Sequence, residues 1–308
     1  MSITITGGIS VSGGLDIVAG PPPGKKAIFG YGSGPSSITN LVSDTGVVST
    51  DTAGVGTARQ ELAAAGYGTD KAIFGYGGGP VSMTNLVSNT GVVGNDVTGV
   101  GTARNYLAAA GYGTDKAIFG YGIFSGTVTG ITNLVSNAGV VASNTTGVGT
   151  ARQGPAAAGY GTDKAIFGYG ILGAPTYVNQ SVTNLVSNTG VVANDTTGVG
   201  TARQGSAAAG YGTDKAIFGY GYTSTGVSMT NLVSNTGVVS TDTTGVGTVR
   251  YQLAAAGYGT DTALFGYGTG AGLPYPSITN LVSNTGVVST DTAVAGTGRY
   301  ALAAASYG

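Results

Sequence analysis

The sequence predicts an all-β fold: a closed six-bladed β-propeller of four-stranded blades, each made from a repeat of about 47 residues. Three observations carry this expectation: a phrase repeated at blade spacing, turn chemistry inside every repeat, and one repeat divided between the two chain ends. The phrase GTARQELAAAGYGTDKAIFGYG, residues 56–77, returns with small changes at 101–122, 149–170, 200–221 and 247–268. A sixth copy is broken. The chain ends in GTGRYALAAASYG (296–308), and the missing KAIFGYG stands at residues 26–32. The start of that segment recurs at Lys26, Lys71, Lys116, Lys164, Lys215 and Thr262, at spacings of 45 to 51 residues, inside the window of propeller blades.

Each repeat reads as four strands. AIFGYG is the first, rich in aromatic and β-branched residues. A loop of variable length leads to a strand around TNLVS, the turn SNTG to a third, VVSTDT, and the linker TGVGT to the longest, RQELAAAGYG. Asn-Thr-Gly and Gly-Thr-Asp-Lys supply the positive φ values that tight hairpins need. No segment carries an apolar stripe of helical period, and LAAA, the one helix-like fragment, is limited by the glycine beyond it. Pairing 299–307 with 26–32 completes the sixth blade from both ends and leaves no open sheet edge.

Residues 1–25 stand outside the repeat as an arm and linker, with the propeller spanning 26–308. In the arm, ITIT and ISVS alternate at period two around Gly-Gly, a hairpin-like signal, and Pro21, Pro22 and Pro23 form a stiff spacer. Two short strands are marginal alone, so residues 1–20 are either a loose tail on the first blade or an arm that docks on a neighbouring subunit or scaffold.

Composition narrows the function. There is no Cys, His or Trp, charged residues make up only 8%, and 59 residues are Gly without a three-residue period. These values exclude collagen and a disulfide framework, while the apolar content is too high for a disordered chain. A net charge of −1 gives no footprint for nucleic acid and no polybasic membrane patch. No apolar run reaches membrane-helix length and no signal-peptide pattern opens the chain, so neither membrane insertion nor the usual secretory route is expected. Without His or Cys, general acid–base catalysis by imidazole and thiol nucleophiles are unavailable; no catalytic residue, metal or cofactor is expected.

Of 25 charged side chains, 21 occupy repeat-locked positions. Six are Arg59, Arg104, Arg152, Arg203, Arg250 and Arg299. Each follows by eight residues a carboxylate, Asp51, Asp96, Asp195, Asp242 or Asp291, with Asn144 in that place in the third repeat. A ring of arginines gripping an anion is one reading. Arg–carboxylate pairs that tie neighbouring strands or blades are the other, and the regular spacing favours it. Twelve of eighteen Tyr belong to the two GYG strands and read as blade packing.

GTAR, AAAGYG, TD and AIFGYG, followed by the TNLVS–NTG–VVSTDT hairpin, resemble the kelch repeat over residues 26–308. The chain departs from the family where paired glycines become Gly-Tyr-Gly and where the usual Trp is absent. The resemblance implies that AAAGYG is the innermost strand, where Ala and Gly let strands crowd at an axis. The copper-radical oxidase activity known on that fold needs His and a Cys-linked Tyr, so it does not carry over.

The repeats disagree in two places: the loop after GYG and the three residues after Arg. A four-stranded meander puts both on one face, around the channel mouth, with the invariant TD and SNTG turns opposite. The variable face collects Tyr106, Phe124, Tyr177, Tyr222, Tyr251, Tyr275 and Tyr300, amphipathic aromatics suited to sugar stacking and protein interfaces. Tyr177 and Tyr222, on adjacent blades, are expected to flank one ligand. Loop drift is the alternative source of such variation.

The near-identity of the blades and the ITITGGISVSGG arm resemble structural proteins of tailed bacteriophages. That resemblance implies a virion component, a capsid decoration or tail- or fibre-associated protein. It would be held in an oligomer or particle through residues 1–20, with the variable face toward host cell-surface glycan. A free lectin-like propeller, extracellular or cytoplasmic, is the second expectation.

Overall fold

The computed structural model describes residues 24–270 and 275–308; the expected arm hairpin at residues 1–20 lies outside them. Among the described residues there is no helix. The strands form small antiparallel sheets, one of four strands, five of three, and a two-stranded hairpin, Ile123–Phe124 with Thr127–Val128.

One repeat stands for all. The inner strand is Ala63–Tyr67, paired with Lys71–Gly75, which pairs in turn with Thr84–Val87. Along the inner strands Ala and Gly alternate between buried and half-buried, as in Ala108–Tyr112. The glycine within the strand permits close approach: a Cβ on Gly111 would lie 3.3 Å from the Gly66 carbonyl oxygen of the neighbouring inner strand.

Two expectations are corrected. The stretch RQEL does not extend the inner strand, because the second residue after Arg, such as Glu61 at φ 60°, turns left-handed and breaks the extended run. VVSTDT is not a continuous fourth strand either. It touches its neighbour through isolated bridges, Val87 to Val93 and Thr84 to Val97, and between them the Asn85 side chain takes the carbonyl of Gly94. Among the described residues only the sixth repeat has a short fourth strand, Thr292–Ala293.

The sheets are joined in order by their inner strands. Gly68, Gly113, Gly161 and Gly212 each donate a backbone N–H to the carbonyl of the Asp in the next turn, at 2.6–2.7 Å. Gly259 donates to Lys25, and Gly308 closes the cycle on Asp70 at 2.8 Å. A second cycle runs at the other end of the inner strands. Ala301 donates to Gln252, Gln252 to Gly205, Gly205 to Gly154, Gly154 to Tyr106, Tyr106 to Glu61, and Glu61 to Ala301. The chain ends meet as the sequence suggested: Ala303–Tyr307 pairs with Lys26–Gly32, Lys26 opposite Tyr307 and Gly30 opposite Ala303.

Between sheets the core is aromatic. Tyr76 meets Phe119 of the next sheet edge-on at 5.1 Å, the Arg104 guanidinium covers its ring at 4.4 Å, and its hydroxyl donates to the Val100 carbonyl. This unit recurs at every interface, including Phe29 against Tyr267 at the junction of the ends. There the linker reads AVAGT, and the Tyr267 hydroxyl has no partner.

Candidate functional site

The six arginines are buried and, apart from Arg104 Nη2 and Arg250 Nε, fully hydrogen-bonded rather than displayed. Arg59 is 2% exposed; its Nε donates to the Tyr76 carbonyl, Nη1 to the Thr57 carbonyl and Nη2 to Asn85 Oδ1 at 2.7 Å. Asn85 passes the connection on, donating Nδ2 to Asp96 Oδ1, and Asp96 also accepts from the backbone and hydroxyl of Thr57. The partner carboxylate is therefore not the one eight residues earlier. Arg59 faces Asp96 at 4.0 Å, Arg203 faces Asp242 and Arg250 faces Asp291, each on the sheet that the arginine itself enters. Each linker is thus pinned to the sheet it leads into, with an asparagine as intermediary. Asp51 holds Thr297 and Asp195 holds Thr150 in the same way. Burial alone would raise the Asp96 carboxyl, but hydrogen bonds from Thr57 and Asn85, and the Arg59 charge, outweigh it and hold the pKa below 3.8.

The third repeat is the exception. With Asn144 in place of Asp, Arg104 has no carboxylate partner, and both Arg104 Nη2 and Asn133 Oδ1 lack a hydrogen-bond partner.

The two variable segments are hydrogen-bonded to each other. Asn105 bridges Ile123, Gln153 bridges Ile171, Gln204 bridges Tyr222 and Tyr251 bridges Thr269, each pairing the residue after Arg with the first residue of the loop after GYG. On the opposite side the two constant turns meet: Asn137 donates to Asp115, Asn188 to Asp163 and Asn235 to Asp214.

Over the second backbone cycle lies a cavity of about 290 Å³ walled by Tyr106, Tyr222, Tyr251 and the amides Gln153, Gln204 and Gln252. Gly154 and Gly205 leave room beneath it. Tyr222 and Tyr251 tilt against each other at 4.9 Å. The Tyr106 phenol stands between Glu61 and Gln252; burial first, then Glu61, push its pKa up. Of the expected aromatic set, the cavity gathers these three. Tyr275 and Tyr300 form a separate pair at 4.7 Å, while Phe124 and Tyr177 are exposed and line no part of it. Tyr222 therefore takes Tyr251 as its neighbour rather than Tyr177. The glutamines escape sequence reasoning because they sit inside a variable stretch; the recurrence of Gln directly after Arg in three repeats is the available signal.

Among the described residues no three His, Cys, Asp or Glu side chains gather as metal ligands, and no helix is long and apolar enough to cross a membrane. No protein-family model matches the chain, and no curated protein matches it in sequence.

Proposed function

We propose that residues 26–308 form a closed six-bladed, kelch-like β-propeller whose variable face is a non-enzymatic binding surface for a glycan. The closed ring is supported by the two six-membered hydrogen-bond cycles and by the pairing of the two chain ends. One observation carries the binding role: a cavity that alternates tyrosines with glutamine amides, over a backbone belt that keeps its path whatever side chains it bears. Tyrosine rings offer an apolar face to sugar C–H groups, and amides both donate to and accept from hydroxyls. The constant face carries none of this variation.

In this proposal the chain is a bacteriophage virion component that presents the face to host cell-surface glycan. The repeat style and the sequence of residues 1–20 support that placement. The test is attachment of the purified protein to bacterial cells and to a glycan array. The pair Tyr222→Ala and Tyr251→Ala is expected to weaken attachment by roughly 1–3 kcal/mol, the scale of a lost interface anchor, with little change in Tm. Attachment unaffected by the pair would overturn the assignment of the face.

A further inference from the structure

The opposite end of the axis holds a second cavity, of about 270 Å³, which the glycan proposal does not use. The protein has six lysines, and five of them, Lys25, Lys71, Lys116, Lys164 and Lys215, line this one space. Among the described residues the only carboxylate on its wall is Asp261. The turn carboxylates Asp70, Asp115, Asp163 and Asp214 are absent from the wall although each is bonded to a wall lysine, with Nζ–Oδ1 distances of 2.8–3.2 Å.

The reason is geometric. In three of these turns the other carboxylate oxygen accepts from an asparagine of the neighbouring constant turn, Asn137, Asn188 or Asn235, which holds the acid away from the axis. The four paired lysines themselves stay on the wall. Each bears three donors and uses one on its aspartate, and a half-exposed lysine–aspartate pair is weak enough to be shared. The turn threonines add hydroxyls to the same wall. Thr69, Thr114, Thr162 and Thr213 stand there at φ 66–70°, a conformation that a β-branched residue rarely adopts.

We infer that this axial cavity binds a compact, multiply charged oxyanion of the oligophosphate class. Its charge meets converging ammonium groups from several blades at once, and the cavity has room for a small ligand rather than a folded segment. A monovalent anion would engage one or two of these groups and gain little.

Titration calorimetry with sodium tripolyphosphate at low ionic strength tests this on the full chain. One site per chain is expected, with affinity falling as salt is raised. Lys116→Met with Lys164→Met is expected to weaken binding by about tenfold, since each removes a charge from the ring. The fifth turn offers a gain-of-function variant, because Thr262 stands where the other turns carry Lys. Thr262→Lys is expected to tighten binding severalfold, an effect that loss of folding cannot mimic. Absence of tripolyphosphate binding, or binding indifferent to both variants, would overturn the inference.

Discussion

Arg299 donates Nη2 to Asn40 Oδ1 at 2.7 Å, joining residues 259 positions apart in sequence. The same guanidinium donates Nε to the Tyr31 carbonyl at 2.7 Å, so one side chain near the C-terminus holds two N-terminal strands. Beside it, Thr297 is bonded to Asp51 and Ser306 donates to the Gly257 carbonyl. The arginine contacts that continuous chain makes at Arg59, Arg152 and Arg203 are made here between segments from opposite ends of the sequence.

Deleting residues 297–308 should therefore abolish cooperative unfolding rather than fray a terminus. The truncated chain would expose the Lys26–Gly32 edge and leave Phe29 and Tyr267 without their covering strand. Circular dichroism melts check this; an unchanged Tm would show that closure contributes nothing to stability.

The third repeat offers a stabilising substitution. Asn144→Asp supplies the carboxylate that Arg104 lacks and copies the arrangement of Asp242 with Thr201, Asn231 and Arg203. It should raise stability by about 1 kcal/mol, the net scale of one ordinary hydrogen bond, because the carboxylate is partly exposed. Asp242→Asn should lower it by a similar amount. Paired denaturant titrations separate the two. A loss of stability in Asn144→Asp would mean that the third repeat has adapted to the amide.

Acid should act through the same carboxylates. Asp51, Asp96, Asp195, Asp242 and Asp291 are all shifted below 3.8; burial opposes the shift, and hydrogen bonds from threonine and asparagine overcome it. A lowered folded pKa gives stability that is present above the unfolded value and lost as pH falls through the folded one. The melting temperature should thus hold down to about pH 4 and fall below it. At the alkaline end burial, partly offset by Arg152 and Arg250, pushes Tyr121 and Tyr220 from 10.0 up to about 12. A raised folded pKa contributes stability below the unfolded value, so that contribution is lost between about pH 10 and 12. Melts across pH check both limbs, and Asp96→Asn should flatten the acid one.

The sequence made the repeat boundaries, the antiparallel order and the meeting of the ends readable, because these depend on periodicity and turn chemistry that one chain displays six times. The Arg network was legible as a set of structural residues but not in its pairing. Equal spacing makes the preceding and following carboxylates indistinguishable on paper, and the intermediary asparagine of TNLV looked like ordinary strand sequence. Tyr106 and Tyr251 flank the cavity of tyrosines and glutamines because the chain turns left-handed just after each Arg. That turn comes from a left-handed residue whose identity varies among Glu61, Tyr106, Gly154, Gly205, Gln252 and Ala301, so no single residue type announced it.

That variation predicts where the scaffold tolerates change. At Gly154 an added Cβ meets nothing closer than 3.6 Å, so Gly154→Ala meets only the left-handed backbone at φ 60°. Its expected cost is about 1 kcal/mol, the penalty other repeats already carry with Glu61 or Ala301. Gly75 has an ordinary backbone, but its Cβ would stand 2.7 Å from Cζ of Phe119, a ring locked edge-on against Tyr76. Phe119 cannot withdraw without opening the interface between neighbouring sheets, so Gly75→Ala should cost about 3 kcal/mol, the upper range for overpacking. Denaturant midpoints of the two variants decide the matter. If the order is reversed, the variable belt rather than the aromatic interface is the rigid part of the fold, and residues beneath the tyrosine cavity could not have diverged as freely as they have.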